Sequence, residues 1–495
     1  MSVKKLIRHA CQTLAGGVLA FTIAIPQAAA NDNPHGAYKP GHFPKLEEIH
    51  TPKNVKHPSN GKRVLGPGHP KYTMNVTYNS KNHTISGHMT VAFNNNLHKN
   101  LNRLYFNLWG NASVFEENGG GMTVSHVKIN GKKAAYIVND TKLKISGLSL
   151  KANKKVTVGM DFNVSLPHQQ DRFGWNKTTV SLGNWFPILG VYDEEGWNLD
   201  PYYAYGESFY SLTGDFDVTL TTDKDQVIAA SGTEVGKAKI MSSQAVHHYK
   251  AHNVRDFAME MDPTYHVKST TVNKTKINVY YTDEQAKYAD AMLESGHDSI
   301  ALFSKKFGKY PWPELDVVSM EGWFGGMEYP QLVMISLPGE RSQNWVKSVT
   351  AHEIGHQWFY GIIGDNEYDE PWLDESFADF SAALYDGELN QLTTPAPQQD
   401  YFHLSSPVST FTAHADEGGI NAYYNTIYGY GSRTVNDLRL KLGDQQFYKS
   451  MQTYFKKKKF GVSTTADFIK IMEDTSGKDL SAFFKNHRVF VSDQQ

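Results

Sequence analysis

Two histidines four residues apart, His352 and His356, flank Glu353 in the run Val349-Thr-Ala-His-Glu-Ile-Gly-His-Gln-Trp-Phe-Tyr360. On a helix that spacing puts both imidazoles on one face, one turn apart. Neutral imidazole binds zinc at about 2.0–2.1 Å. The H-E-x-x-H pattern supplies two metal ligands and, in Glu353, a general base. Glu375 follows His356 after eighteen intervening residues, within Trp372-Leu-Asp-Glu-Ser-Phe-Ala-Asp379. A second helix can bring that carboxylate back to the same metal. Two His and one Glu leave a fourth position open to water, the layout of a catalytic rather than a structural zinc. H-E-x-x-H also arises by chance in long chains. Here apolar Val349, Ile354, Trp358 and Phe359 surround it. Unpaired His and Glu in a buried helix are costly, and a bound cation removes that cost. One Zn2+ per chain is expected. Asp379, four residues after Glu375, shares its helical face. It is a candidate to accept the second N–H of a metal-bound His, with Asp374 as the alternative.

A centre of this kind needs a scaffold that can bury it. The chain has 495 residues, 40% hydrophobic and 13% aromatic. That suffices for two or three domains with large cores and excludes a disordered protein. The net charge of −2 gives no reason to expect a polyanionic partner. Lys456 to Lys459 has no aromatic or Arg interleaving, so it reads as a solvated helix end rather than a nucleic-acid site.

Residues 1–30 read as a secretory signal peptide. Lys4, Lys5 and Arg8 precede the apolar stretch from Leu14 to Pro26, and Ala28-Ala-Ala30 offers a cleavage site. The apolar run is too short for a membrane span. The only cysteine, Cys11, lies within this segment. A mature chain without cysteine suits a bacterial secreted protein that is stable without disulfides. Residues 31–70 form an extended lead-in or spacer.

From about residue 71 the pattern has period two. Tyr72, Met74, Val76 and Tyr78 alternate with polar residues, as do Ile85, Met89, Val91 and Phe93, and again Phe216, Val218 and Leu220. This predicts an antiparallel β-sandwich or saddle over 71–267. The aromatic segment Gly183 to Trp197 is either a packed loop of that domain or a face of the active-site cleft. Residues 268–495 read as a second, α+β unit. It has strands at 279–281, 315–320 and 331–337 and a helix over 283–307. The two motif helices follow, then an irregular stretch over 391–419. A helix after Tyr428 carries Val435, Leu438, Leu442 and Phe447, and short helices cover 463–474 and 479–487.

Three motifs in order also carry a resemblance: Gly325-Gly-Met-Glu-Tyr-Pro330, then HEIGHQWF with WLDESFA, then Ile427-Tyr-Gly-Tyr-Gly431. Over roughly residues 70 to 490 the chain resembles the aminopeptidase N family of gluzincin zinc peptidases. The first motif is similar to that family's G-x-M-E-N signature, with Tyr329 where Asn is usual. The last is similar to its Tyr-x-Lys-Gly segment, with Tyr430 in place of Lys. The resemblance implies that the second unit is a thermolysin-like catalytic domain. It implies that Glu328 binds the free amine of a peptide, with Gly326 and Met327 beside it. It implies that the phenol of Tyr428 stabilises the oxyanion. The β-domain residue that completes the amine site in the family is not recognisable. The long helical C-terminal domain of larger members does not follow, which suggests a short bacterial secreted type. The expected function is therefore a secreted zinc metallopeptidase acting on peptides or proteins, in the first place an aminopeptidase. One alternative is a zinc endopeptidase with an open cleft. Another is a non-catalytic peptide-binding protein on the same scaffold. No nucleic acid and no membrane span are expected.

Overall fold

Alternation from Tyr72 to Tyr78 becomes the strand Gly68–Asn79, with its apolar side chains buried and its polar ones largely exposed. The computed structural model describes residues 65–491 apart from Ala204. The expected signal peptide and most of the lead-in lie outside the described residues. Gly68–Asn79 pairs antiparallel with Thr84–Asn94, Met74 opposite Met89, and parallel with Gly214–Asp223, Met74 opposite Val218. Lys155–Ser165 extends the ladder, Met160 opposite Met89. Because side chains alternate across a sheet, this register buries one apolar face. The result is a nine-stranded sheet, accompanied by two four-stranded sheets. Tyr72 stacks on Phe216 at 4.5 Å in the shared core. Trp185 and Phe186 are fully buried there, and Trp185 donates from Nε1 to the Phe257 carbonyl at 2.9 Å. That part of the Gly183–Trp197 segment is a packed loop.

The second part is built on a five-stranded mixed sheet running His266–Val272, Thr275–Tyr281, Glu314–Met320, Leu332–Ser336 and Gly326–Met327. Gly326–Met327 is its edge, antiparallel to Leu332–Ser336. The stretch expected as one helix over 283–307 is a 3-10 turn, Asp283–Tyr288, and then an α-helix, Ala289–Lys306. Thr282 and Gln285 form a reciprocal cap at its start. The two motif helices are Gln343–Gly355 and Trp372–Asp386. Aromatic rings lock them together. Phe303 packs edge-on against Trp358 at 5.7 Å, Phe307 against Phe359 at 5.1 Å, and Phe359 tilts onto Phe377 at 4.8 Å. Each such side chain contributes about 1.5–3 kcal/mol when fully buried, so the metal motif sits on a stiff base.

The residues Val435 to Phe447 do not form one helix but two, Gly431–Leu442 and Asp444–Lys458. Gly443 separates them with φ 79°, a conformation that residues with a Cβ adopt only at a cost. The lysine run ends the second helix, where cations complement the helix dipole. Lys458 there pairs with Asp467 at 2.5 Å. The stretch expected to be irregular contains a short helix, Val408–Ala413. Among the described residues no helix is long and apolar enough to cross a membrane.

Candidate metal centre and substrate pocket

Ser342 caps the first motif helix by accepting from the Trp345 N–H at 3.1 Å. That helix presents His352 and Glu353 in its last turn, and His356 caps its C-terminus. The neighbouring helix presents Asp374 and Glu375 in its first turn and Asp379 one turn later. His352 Nε2 and His356 Nε2 lie 3.1 Å apart, and Glu375 Oε2 lies 3.4 and 3.2 Å from them. Ligands of a tetrahedral ion with bonds of about 2.0–2.1 Å are about 3.3–3.4 Å apart. The triangle therefore fits zinc. Glu375 Oε2 is buried without a hydrogen-bond partner, as expected of an atom reserved for a cation.

Both imidazoles are oriented from behind. His352 Nδ1 is 2.9 Å from Asp379 Oδ1, and His356 Nδ1 contacts Asp374 Oδ1. Asp379 and Asp374, weighed as alternatives from sequence, each serve one histidine. A carboxylate behind Nδ1 fixes the ring and leaves Nε2 free as a ligand.

Glu353 is buried, and burial pushes its carboxyl up to about 7 while His352 and His356 pull it down. A dication held by the triad favours its ionised form. A Cβ on Gly326 would lie 2.0 Å from Glu353 Oε1. The glycine thus makes room for the carboxylate against the edge strand. Tyr428 lies on a π-helical segment, Tyr424–Tyr430, a form found often at functional sites. Its hydroxyl donates to Glu375 Oε1, and its ring lies parallel to His352 at 6.1 Å. Tyr430 instead is buried, with its ring 6.4 Å from that of His487.

Glu328 is buried in the same pocket, and its Oε1 has no hydrogen-bond partner. Burial pushes its carboxyl well above the usual range. Met327, the neighbour expected to touch substrate, is not among the pocket-lining residues. It is fully buried, with Sδ 3.0 Å from Arg172 Nη1. Tyr329, the unusual residue of its motif, donates to Asn184 Oδ1 at 3.0 Å and ties the edge strand to the β-sheet part.

Three residues escaped the reading of the sequence. Glu207 enters the pocket from the β part. Burial pushes its carboxyl up to about 7 against the pull of Arg172. Arg172 binds it through Nη1, 2.7 Å from each oxygen. Gln357 clamps the backbone of the Glu328 segment. The signal for Glu207 was its isolation, one acid in the aromatic run Tyr202 to Tyr210.

Comparison with known proteins agrees with this geometry. Residues 291–487 match the Peptidase family M1 domain. The chain is 30% identical over 239 residues to aminopeptidase N of Lactococcus lactis subsp. lactis, a match covering 43% of this chain and 28% of that protein. It is 26% identical over 219 residues to aminopeptidase N of Streptomyces lividans, covering 40% and 25%. The matched stretch thus spans only about a quarter of these relatives' length. The crystal structure of M1 zinc metallopeptidase from Deinococcus radiodurans superposes with TM-score 0.61 at 16% identity, over 87% of this chain and 95% of that one. This last likeness establishes the fold.

Proposed function

We propose that the chain is an aminopeptidase N-like M1 peptidase, a zinc aminopeptidase that removes N-terminal residues from peptides; the family match over residues 291–487 and the likeness to aminopeptidase N support this reading. His352, His356 and Glu375 would hold the metal. Bound zinc supplies a Lewis acid that lowers the pKa of water toward about 7 and polarises a carbonyl. Glu353 removes the proton from the attacking water and returns it to the leaving amine, a role that contributes roughly 10²–10⁴-fold. Tyr428 turns its hydroxyl from Glu375 to the developing oxyanion. The phenol stays protonated for this task, because burial raises its pKa well above the ordinary value and the carboxylate of Glu375 adds to the effect.

The observation that carries the exopeptidase reading is the unpartnered Oε1 of Glu328. A buried carboxylate oxygen without a donor is costly. The α-ammonium of a peptide supplies that donor beside the metal. Glu328→Ala should cut kcat/KM on free peptides by about 10–10²-fold, the scale of a hydrogen bond to a charged group. N-acetylated peptides should be poor substrates and barely respond to the substitution. Internal cleavage of blocked peptides as fast as of free ones would replace this reading with an endopeptidase.

Secretion also belongs to the proposal. It is supported by the basic and apolar pattern of residues 1–30 with its Ala-Ala-Ala end. N-terminal sequencing of protein from its host should begin after Ala30, and an intact Met1 would contradict export.

A further inference from the structure

We propose that Arg172 is the positioning residue of the amine site. It acts as a strut that holds Glu207 and the Met327–Glu328 segment in place on the two sides of one pocket. The inference rests on the aminopeptidase reading above.

The Arg172 side chain is only 8% exposed. It crosses from the β part to the catalytic part. Nη1 is 2.7 Å from both Glu207 oxygens and 3.0 Å from Met327 Sδ. The guanidinium also lies 5.3 Å from the ring centre of Phe324 and 5.7 Å from that of Phe209. One group thus touches the acid on one side of the pocket and the residue before Glu328 on the other.

The donors on Arg172 are used unevenly. Nε is buried without a hydrogen-bond partner and faces Asp171 Oδ1 only at 3.8 Å. A second buried arginine shows what a structural role looks like in this protein. Arg255 donates from Nε, Nη1 and Nη2 to the carbonyls of Tyr360, Ser211 and Gly461, at 2.5, 2.7 and 2.5 Å. Arg172 leaves a donor unmatched while it aligns both oxygens of one carboxylate.

That alignment suits an ammonium. Each carboxylate oxygen has two acceptor positions. Arg172 occupies one on each oxygen of Glu207, which leaves the other for a ligand. Glu328 Oε1 is open. An α-ammonium has three N–H donors, enough in number for both carboxylates. The fixed cation also offsets repulsion among Glu207, Glu328 and Glu353, which share the pocket. Arginine keeps its proton in this setting, and lysine would place a compact charge without the planar group that lies near the Phe324 and Phe209 rings.

The test compares a free peptide with its N-acetylated counterpart. The zinc-loaded enzymes are wild type, Arg172→Met, Arg172→Lys, Glu207→Gln and the double variant Arg172→Met/Glu207→Gln. Zinc content and melting temperature are measured alongside. Wild-type preference for the free peptide is read first. Its absence removes the aminopeptidase reading and this proposal with it, before any variant is considered. Given that preference, Arg172→Met should raise KM for the free peptide about tenfold with little change in kcat. Activity on the acetylated peptide should stay within about twofold, and Arg172→Lys should restore part of the loss. In the Glu207→Gln background the Met substitution should add less than about twofold, because the two residues act as one unit. Equal losses on both peptides overturn the strut, as do losses that multiply in the double variant. Should Arg172→Met fail to fold, the Lys and double variants carry the same comparison, since the double variant removes both members of the Arg172–Glu207 pair together.

Discussion

Gln357, the residue after His356, donates from Nε2 to the backbone carbonyl of Glu328 at 3.2 Å. The same nitrogen reaches the Tyr329 carbonyl at 3.1 Å, and Oε1 accepts from the Gln331 N–H at 2.8 Å. The helix bearing His352 and Glu353 is therefore tied directly to the segment Glu328–Gln331 that follows the edge strand. One fully buried amide links the His352–His356–Glu375 triangle to Glu328.

Gln357→Ala removes that clamp and leaves buried backbone groups unsatisfied, at about 1–3 kcal/mol. We expect a lowered melting temperature, unchanged zinc content and a KM for free peptides raised several-fold, about the scale of one such bond. A variant with wild-type KM would show that the Glu328 segment keeps its place unaided.

Asp374→Asn and Asp379→Asn should each weaken zinc binding by about 10–100-fold, measured by competition with a chelator. The Asp374 side chain is 1% exposed and that of Asp379 11%, so the Asp374 change should be the larger. Equal affinity in both variants and wild type would mean that the ligands need no support from behind.

Chelation should abolish activity, and Zn2+ should restore it. Glu353→Gln should keep its zinc and lose activity by roughly 10²-fold or more. Gly326→Ala should mimic it, because the new methyl would occupy the position of the Glu353 carboxylate. The expected signature is a folded, zinc-replete and slow enzyme. A Gly326→Ala variant at full rate would show that the Glu353 carboxylate works from another position.

Tyr428→Phe should lower kcat by about 10²–10³-fold with little change in KM. Tyr430→Phe should do far less, since Tyr430 is not among the pocket-lining residues. The opposite ranking would reassign the oxyanion donor.

The sequence by itself determined the metal centre. Two histidines at helical spacing and a glutamate on the next helix are local facts, and local geometry carries them to one point. The period-two runs from Tyr72 to Phe93 likewise announced their sheet, because alternation fixes which face is buried. Helix ends were less legible. Val435 to Phe447 keeps an apolar period across Gly443, and only the backbone turn there divides it. The substrate pocket was decided by tertiary structure. Arg172, Glu207 and Glu328 follow one another at intervals of 35 and 121 residues in sequence, and no periodicity links them. They meet because the β part packs against the edge strand Gly326–Met327, where Arg172 reaches Met327 and Tyr329 reaches Asn184. Charges that converge through packing leave no trace in the spacing of residues along the chain.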